Sequence, residues 1–308
     1  MTRANRRKFE STHNAHGTCS VGSTKSSHGT SSVGVLCAVL LHVVLVALAL
    51  VAIVPFIWLV CASFKRQEHI FTYAFLPWHN LHALTSNNFN HLFRETNFLL
   101  WLINSLFLAS AQTVLVVTLS SLGGFALAKY RFLGKRPLML LMLGTLLLPY
   151  PVLLPSSWEL MYHFGWLDSY WAIIVPGMVS VFGIFLFRQS MLTVPDELLH
   201  AGRVDGCSEL RLWWDVAMPI ARPMVGAFTL LAFLGNWNSF LWPQVVLQDE
   251  RKYTLPIGLA NMVGLPQFET NYGVLMAGTL VSVLPVIVLF FVLQRDFIAG
   301  LASGAVKG

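Results

Sequence analysis

Few side chains in this sequence are placed to do chemistry. Glu159, His163 and Asp168 form the nearest approach to a carboxylate–histidine set, but neither a nucleophile nor a metal motif accompanies them. His69, His79, His82 and His91 crowd one stretch, yet they lack the i, i+4 spacing or the cysteine partners of a metal site. The four cysteines, at 19, 37, 61 and 207, include no C-x-x-C pair, so neither a zinc site nor a disulfide framework is indicated. A G-x-x-x-x-G-K-[ST] loop, the backbone cradle for nucleotide phosphates, is also missing. These residues do not describe an enzyme.

The segment Thr193–Pro219 is different. It reads T-V-P-D-E-L-L-H-A-G-R-V-D-G-C-S-E-L-R-L-W-W-D-V-A-M-P and packs caps, turns and charges into one short stretch. Thr193 suits an N-cap, with Pro195 in the first turn and Asp196 three residues on, in the manner of a capping box. Leu198, Leu199 and Ala201 continue a short helix, which the Asp205-Gly206 turn signal ends. Ser208 then caps a second helix carrying Leu210, Leu212, Trp213, Trp214 and Val216. Two short helices around a glycine bend can form a rigid knob for a partner protein. The same pattern, with its tryptophan pair, also fits an amphipathic helix resting on lipid headgroups.

The elements that must position this segment are apolar. Of 308 residues, 56% are hydrophobic and 11% charged, well below the share of about 25% in soluble domains. A bilayer is the natural solvent for such a chain. Six segments, near 35–62, 98–128, 138–157, 169–187, 219–247 and 272–294, are long and apolar enough to cross about 30 Å of hydrocarbon. Residues 1–33, rich in Ser, Thr, His and Gly, cannot bury apolar area and are expected to be a disordered tail ahead of a transmembrane domain spanning 34–308. Arg6-Arg7 faintly resembles an export signal, but the apolar run after it is too long for one and precedes five more spans. It reads as an uncleaved first span.

Charge placement sets the topology. The net charge of +6 comes from short clusters between apolar runs, a pattern that argues against nucleic-acid binding. Fifteen of the twenty Lys and Arg residues fall in the N-terminal tail, the loops after the second and fourth spans, and the C-terminus. Positive charge marks the cytoplasmic side, so both termini are expected there, and Thr193–Pro219 with them.

Within the membrane, Pro149, Pro151 and Pro155 break the third span. Backbone groups freed by proline need a protein or water-lined surface, which places a candidate solute pathway near Leu148–Ser157. Asn104, Gln112, Asn236 and Asn238 either hold helices together or line that pathway, and Trp237 could stack on a sugar ring. His42 is expected to be neutral and hydrogen-bonded in the first span. The cores of the spans hold no Asp or Glu, which speaks against the alternative of a secondary transporter driven by an ion gradient.

Thr193–Pro219 resembles the EAA loop of ABC-importer permeases, specifically the carbohydrate-uptake family of maltose-type inner-membrane permeases. The family pattern of Glu-Ala-Ala, three residues, Gly, nine residues, an aliphatic residue, one more and Leu-Pro falls on His200-Ala201-Gly202, Gly206, Val216 and Met218-Pro219. Arg203-Val204-Asp205-Gly206 resembles the usual A-R-I-D-G. Four further phrases are similar to the family's: Ala126-Leu127-Ala128-Lys129-Tyr130-Arg131-Phe132, Trp237-Asn238-Ser239-Phe240-Leu241-Trp242-Pro243, Lys252-Tyr253-Thr254-Leu255-Pro256-Ile257-Gly258-Leu259 and Gly300–Gly308. The likeness runs over about residues 35–308. Two positions depart from it: His200 stands where Glu is usual, and Gly202 where Ala is usual.

The resemblance implies an all-α membrane protein of six transmembrane helices with a cytoplasmic coupling helix, in a bacterial inner (cytoplasmic) membrane. It implies a second permease subunit, cytoplasmic ATP-binding subunits that hold ATP and Mg, and an extracytoplasmic solute-binding protein. This chain itself would bind no cofactor. His200, Ala201, Gly202, Arg203, Asp205, Gly206 and Pro219 would form the ATPase-coupling surface, and the external loop after Thr254 would face the binding protein.

Overall fold

A computed structural model describes residues 32–76, 81–263 and 271–305, with side chains over 36–76, 82–263 and 271–298. The expected tail lies outside them, except that Ser32 and Val33 already open the first helix. So do residues 264–270 of the external loop and the last three of the C-terminal phrase. Among the described residues the chain is almost wholly helical, and its single bridge between extended residues pairs Lys65 with Leu84.

Helix α1 (Ser32–Ser63) is apolar all round, as a span in lipid must be. At 32 residues it is about 48 Å long, more than the hydrocarbon thickness. The chain divides within it, after Ile53, into two compact units. In the first unit His42 lies with Nδ1 2.6 Å from the carbonyl of Ala38, to which it donates. That is the internal satisfaction expected of a polar ring in a span.

The second unit is organised on one helix. After α2 (Asn87–Glu95), α3 (Phe98–Lys129) buries one face, at positions such as Leu108, Gln112, Val116, Ser120 and Gly124, recurring at helical spacing. The remaining elements are α4 (Lys135–Thr145), α5 (Tyr150–His163), α6 (Trp171–Gly177), α7 (Val181–Met191), α8 (Asp196–Val204), α9 (Glu209–Leu212), a π-helical turn (Trp213–Ala217), α10 (Met218–Ile220), α11 (Arg222–Trp237), α12 (Leu241–Val246), α13 (Leu255–Asn261) and α14 (Tyr272–Ala305). α3 packs along α7 and α11, and α11 along α14. Small residues allow the closest approach: a Cβ on Gly124 would lie 2.5 Å from Cβ of Phe187 and 2.7 Å from the backbone nitrogen of Arg188.

Three helical stretches, Leu36–Ser63, Phe98–Lys129 and Tyr272–Ile298, are each long and apolar enough to cross a bilayer. The other expected spans are bent. α4 and α5 meet at 101°, α6 and α7 at 41°, and the stretch Glu209–Ile220 meets α11 at 87°. The described residues therefore hold three candidate crossings, or up to six if each pair is one.

Two expectations need correction. The third span does not break at its prolines one after another. Its helix stops at Thr145 and restarts at Tyr150, with Pro149 as the extended N-cap and Pro151 in the first turn, where a missing N–H costs nothing. Pro155 sits inside α5 without ending it. The fifth segment is not continuous over 219–247 either, because α11 ends at Trp237 and the helix resumes only at Leu241.

Broken helices strand backbone groups, and α3 supplies the partners. Gln112 donates to the carbonyl of Ile173 (2.8 Å) beside the α6–α7 break, and Ser120 to that of Ser180 (3.3 Å). Thr113 accepts from Asn236 (3.2 Å) near the end of α11. Asn104 donates to the carbonyls of Arg251 and Tyr253, and Ser105 accepts from the N–H of Leu255 (2.6 Å). Asn104, Gln112 and Asn236 thus hold helices together.

Candidate functional site

The segment after α7 is built from ends and turns. α7 closes at Met191, and the N–H and hydroxyl of Thr193 both donate to the carbonyl of Ser190 (3.1 and 2.7 Å). Thr193 therefore finishes the preceding helix and does not cap the next, contrary to the reading from sequence. The N-cap of α8 is Pro195, extended at φ −61°, ψ 133°, which places Asp196 and Glu197 in the first turn, where carboxylates favour the helix dipole. A proline ring fixes φ near the needed value, so the start falls there.

At the far end of α8 the chain folds back in a Schellman motif. The N–H of Cys207 donates to the carbonyl of Gly202 (2.9 Å) and that of Gly206 to Arg203 (3.1 Å), with Gly206 left-handed at φ +81°. A Cβ on Gly206 would meet nothing within 4 Å. Conformation, not space, demands glycine there. Gly202 has the opposite reason: a Cβ on it would come 2.4 Å from Cδ2 of Leu212 on α9, so its missing methyl is where the two arms touch. Ser208 caps α9 as expected, accepting from the N–H of Arg211 (3.3 Å).

The second arm then widens. Trp213–Ala217 form a π turn directly before Pro219, whose ring would clash with the carbonyl of Asp215 four residues back in a regular helix. The turn sends neighbouring indoles apart: Trp213 is buried, and Trp214 is 62% exposed. Buried Leu199, Leu212 and Trp213 join Phe125, Phe187 and Phe228 in one cluster, which seats both arms on α3, α7 and α11. On the open side lie His200, Ala201, Asp205, Leu198, Leu210 and Val204, the last 87% exposed.

Ion pairs close the arrangement. Arg203 grips Glu209 across the bend with two bonds, Nε to Oε1 at 2.7 Å and an amino nitrogen to Oε2 at 3.0 Å. The hydroxyl of Tyr130 donates to the same Glu209. Arg203 first, then Tyr130, pulls the Glu209 carboxyl down to about 2, while Glu209 raises the Arg203 guanidinium further above its ordinary range. Burial, then the Glu209 carboxylate, pushes the Tyr130 phenol up. Lys129, its side chain 6% exposed, reaches Asp196 at 2.7 Å and the carbonyl of Val194 at 2.5 Å. Its bond and charge hold the Asp196 carboxyl below the usual range. Sequence reading treated Lys129 only as a topology charge and assigned nothing to Tyr130 or Glu209. The signal was available, since Lys129 and Tyr130 both sit in the phrase after the second span.

The pathway candidates do not gather in one place. Pro149 and Pro151 are exposed at the start of α5. Trp237 is buried, stacked on Phe233 with ring centres 5.7 Å apart, in a cluster with Phe98, Trp101 and Leu255 that includes nothing from α4 or α5. Asn238 is exposed and donates to the carbonyl of Leu234 in its own helix.

The residues considered for other chemistry are separated too. Glu159 and His163 are 3.9 Å apart on α5. Asp168 instead pins a turn. Its carboxylate accepts from the N–H groups of Gln248 and Asp249 and from Lys252 (2.6 Å), and its own N–H donates to Val246. Burial pushes the Asp168 carboxyl up, but those donors outweigh it and hold it below its ordinary value. His91 pairs with Glu95 (2.7 Å), and His79 lies outside the described residues.

This chain belongs to the binding-protein-dependent transport system inner membrane component family, which it matches over residues 120–298. It is 36% identical over 262 residues to the arabinooligosaccharides transport system permease protein AraQ of Halalkalibacterium halodurans, covering 85% of this chain and 93% of that one. It is 33% identical over 230 residues to the sn-glycerol-3-phosphate transport system permease protein UgpE of Yersinia pestis bv. Antiqua, covering 73% and 80%. Its fold matches a chain in the crystal structure of a bacterial ABC transporter that imports the acidic polysaccharide alginate, with a TM-score of 0.75 at 23% identity over 88% of this chain and 98% of that one.

Proposed function

We propose that the chain is the membrane-spanning permease subunit of an ABC importer that brings a sugar or a related polyol ester into a bacterial cell. The observation that carries this reading is the bent segment 196–219. It is a rigid double arm seated on the helical core, and it presents an exposed, partly apolar face in a family whose members work with binding proteins. In this reading the three long helices and the three bent stretches make six crossings, and the positive-inside rule applied to the basic residues puts both termini and the segment on the cytoplasmic side. Glu209, Arg211 and Asp215 support keeping Glu209–Ile220 outside the hydrocarbon.

In this reading ATP and Mg are held by separate cytoplasmic ATPase subunits, and His200, Ala201 and Asp205 face them. Gly202, Gly206, Arg203 and Pro219 shape the arm that carries them. A second permease completes the cavity, and an extracytoplasmic binding protein delivers solute. Pro149, Pro151 and Asn238 have exposed surface to offer a solute at separate places, whereas Trp237 is buried in helix packing. Relatives named for arabinooligosaccharides and glycerol 3-phosphate frame the solute class.

The test is reconstitution of the chain with its co-purified partners in liposomes. ATP hydrolysis is then measured with the binding protein and a panel of arabinotriose, maltotriose and glycerol 3-phosphate. Stimulation by at least one of them is expected. No ATPase subunit in the purified complex would overturn the reading.

A further inference from the structure

The arms of segment 196–219 meet at a single left-handed residue, Gly206, with open space around it. Such a joint can swivel unless something outside it fixes each arm. Three observations show that each arm is fixed, and to the same place. The first arm is held at its start, where the ammonium of Lys129 meets Asp196 and the carbonyl of Val194. The second arm is held at its start, where the hydroxyl of Tyr130 meets Glu209. Between them, Arg203 on the first arm grips that same Glu209, closing the bend.

The anchors are consecutive residues at the very end of α3, and their partners lie 67 and 79 residues further along the chain. Both anchors are themselves held. Lys129 is almost fully buried, so its charge has no water to fall back on and must keep its oxygen partners. The ring of Tyr130 packs edge-on against Phe125, 5.9 Å away, and its carbonyl accepts from Lys135 (3.0 Å). An exposed carboxylate alone would be a weak tether. Here the buried Lys129 side chain and the Tyr130 ring packed on Phe125 supply the rigidity.

We infer that Lys129 and Tyr130 are positioning residues that clamp the segment to α3 on both sides of the Gly206 bend. The inference rests on the proposed role of the segment in meeting an ATPase. The buried cluster seats both arms on the core, and the polar attachments tie the start of each arm to the end of α3. Two attachments flanking the bend make arm and α3 a single lever. α3 also carries Gln112 and Ser120, which hold the α6–α7 break, so displacement of its end reaches a broken span. Loss of the clamp lets ATP be hydrolysed without moving solute.

The experiment uses the reconstituted complex with the panel sugar that stimulates the wild type. Uptake and hydrolysis are measured together in Tyr130→Phe, Lys129→Met, Lys129→Arg and Glu209→Gln. Solute moved per ATP is expected to fall at least about fivefold, the lower end of typical coupling, in Tyr130→Phe, Lys129→Met and Glu209→Gln. It should recover in Lys129→Arg, which still donates to two oxygens. Tyr130→Phe and Glu209→Gln combined should fall no further than Glu209→Gln alone, because Glu209 is the partner of the Tyr130 hydroxyl. A wild-type ratio in Tyr130→Phe and Lys129→Met would overturn the clamp, as would a complex that no longer assembles without the Tyr130 hydroxyl. Failure of the wild-type complex to respond to any panel solute would count instead against the function proposed above.

Discussion

Two glycines four residues apart, with different roles, stand at the centre of the site. Gly206 is required by a left-handed backbone with empty space around it, and Gly202 by the end of one leucine side chain. Their substitutions should therefore rank differently. Gly206→Val is expected to weaken the segment by about 1–2 kcal/mol, because an L side chain is strained at that φ. It should be seen as faster amide exchange across 196–212 together with loss of sugar-stimulated hydrolysis. Gly202→Ala, which restores the residue usual in the resembling family, should be the milder change, since the terminal carbons of Leu212 can turn aside. The reverse ranking would mean that crowding, not conformation, selects glycine at the bend. The glycine at 206 was legible because Asp-Gly after a short helix is a stop signal. The reason for the glycine at 202 was not, because it depends on where Leu212 arrives after the bend.

At the scale of elements, uniformity decided what could be read. The bounds expected for the first two spans, 35–62 and 98–128, fall within a few residues of Ser32–Ser63 and Phe98–Lys129. Unbroken apolar runs leave a helix in lipid no other solution. The bent elements were harder, because a proline's effect depends on which neighbour can satisfy the carbonyls it frees. Pro155 stays within a helix while Pro149 opens one. Nor could local patterns show that Lys129 and Tyr130 hold residues so much later in the chain. The brace at the α6–α7 break offers a direct test. Gln112→Leu removes the donor to the Ile173 carbonyl in a buried place and is expected to cost about 1–3 kcal/mol, measured as a lower melting temperature of the purified complex. An unchanged melting temperature would mean that the Ile173 carbonyl finds another donor.

For the whole molecule, the sidedness inferred from charge makes a prediction of its own. With the other cysteines replaced, partly exposed Cys207 on the bent segment should react with a membrane-impermeant maleimide only after intact cells are opened. A cysteine placed at exposed Glu250 should react in intact cells. Labelling in the opposite order would invert the topology and move the bent segment away from any cytoplasmic ATPase. The polar stripe of α3 has a further consequence, one concerned with time. Gln112 finds its partner 61 residues later and Thr113 finds Asn236 123 residues later, so α3 leaves the ribosome well before those partners exist. At synthesis rates of about 5–20 residues per second, the wait for Asn236 is about 6–25 s. Throughout it, a helix apolar enough to enter lipid carries polar groups that lipid does not solvate. The polar face of α3 can therefore reach its final hydrogen bonds only after α6 and α11 have been made.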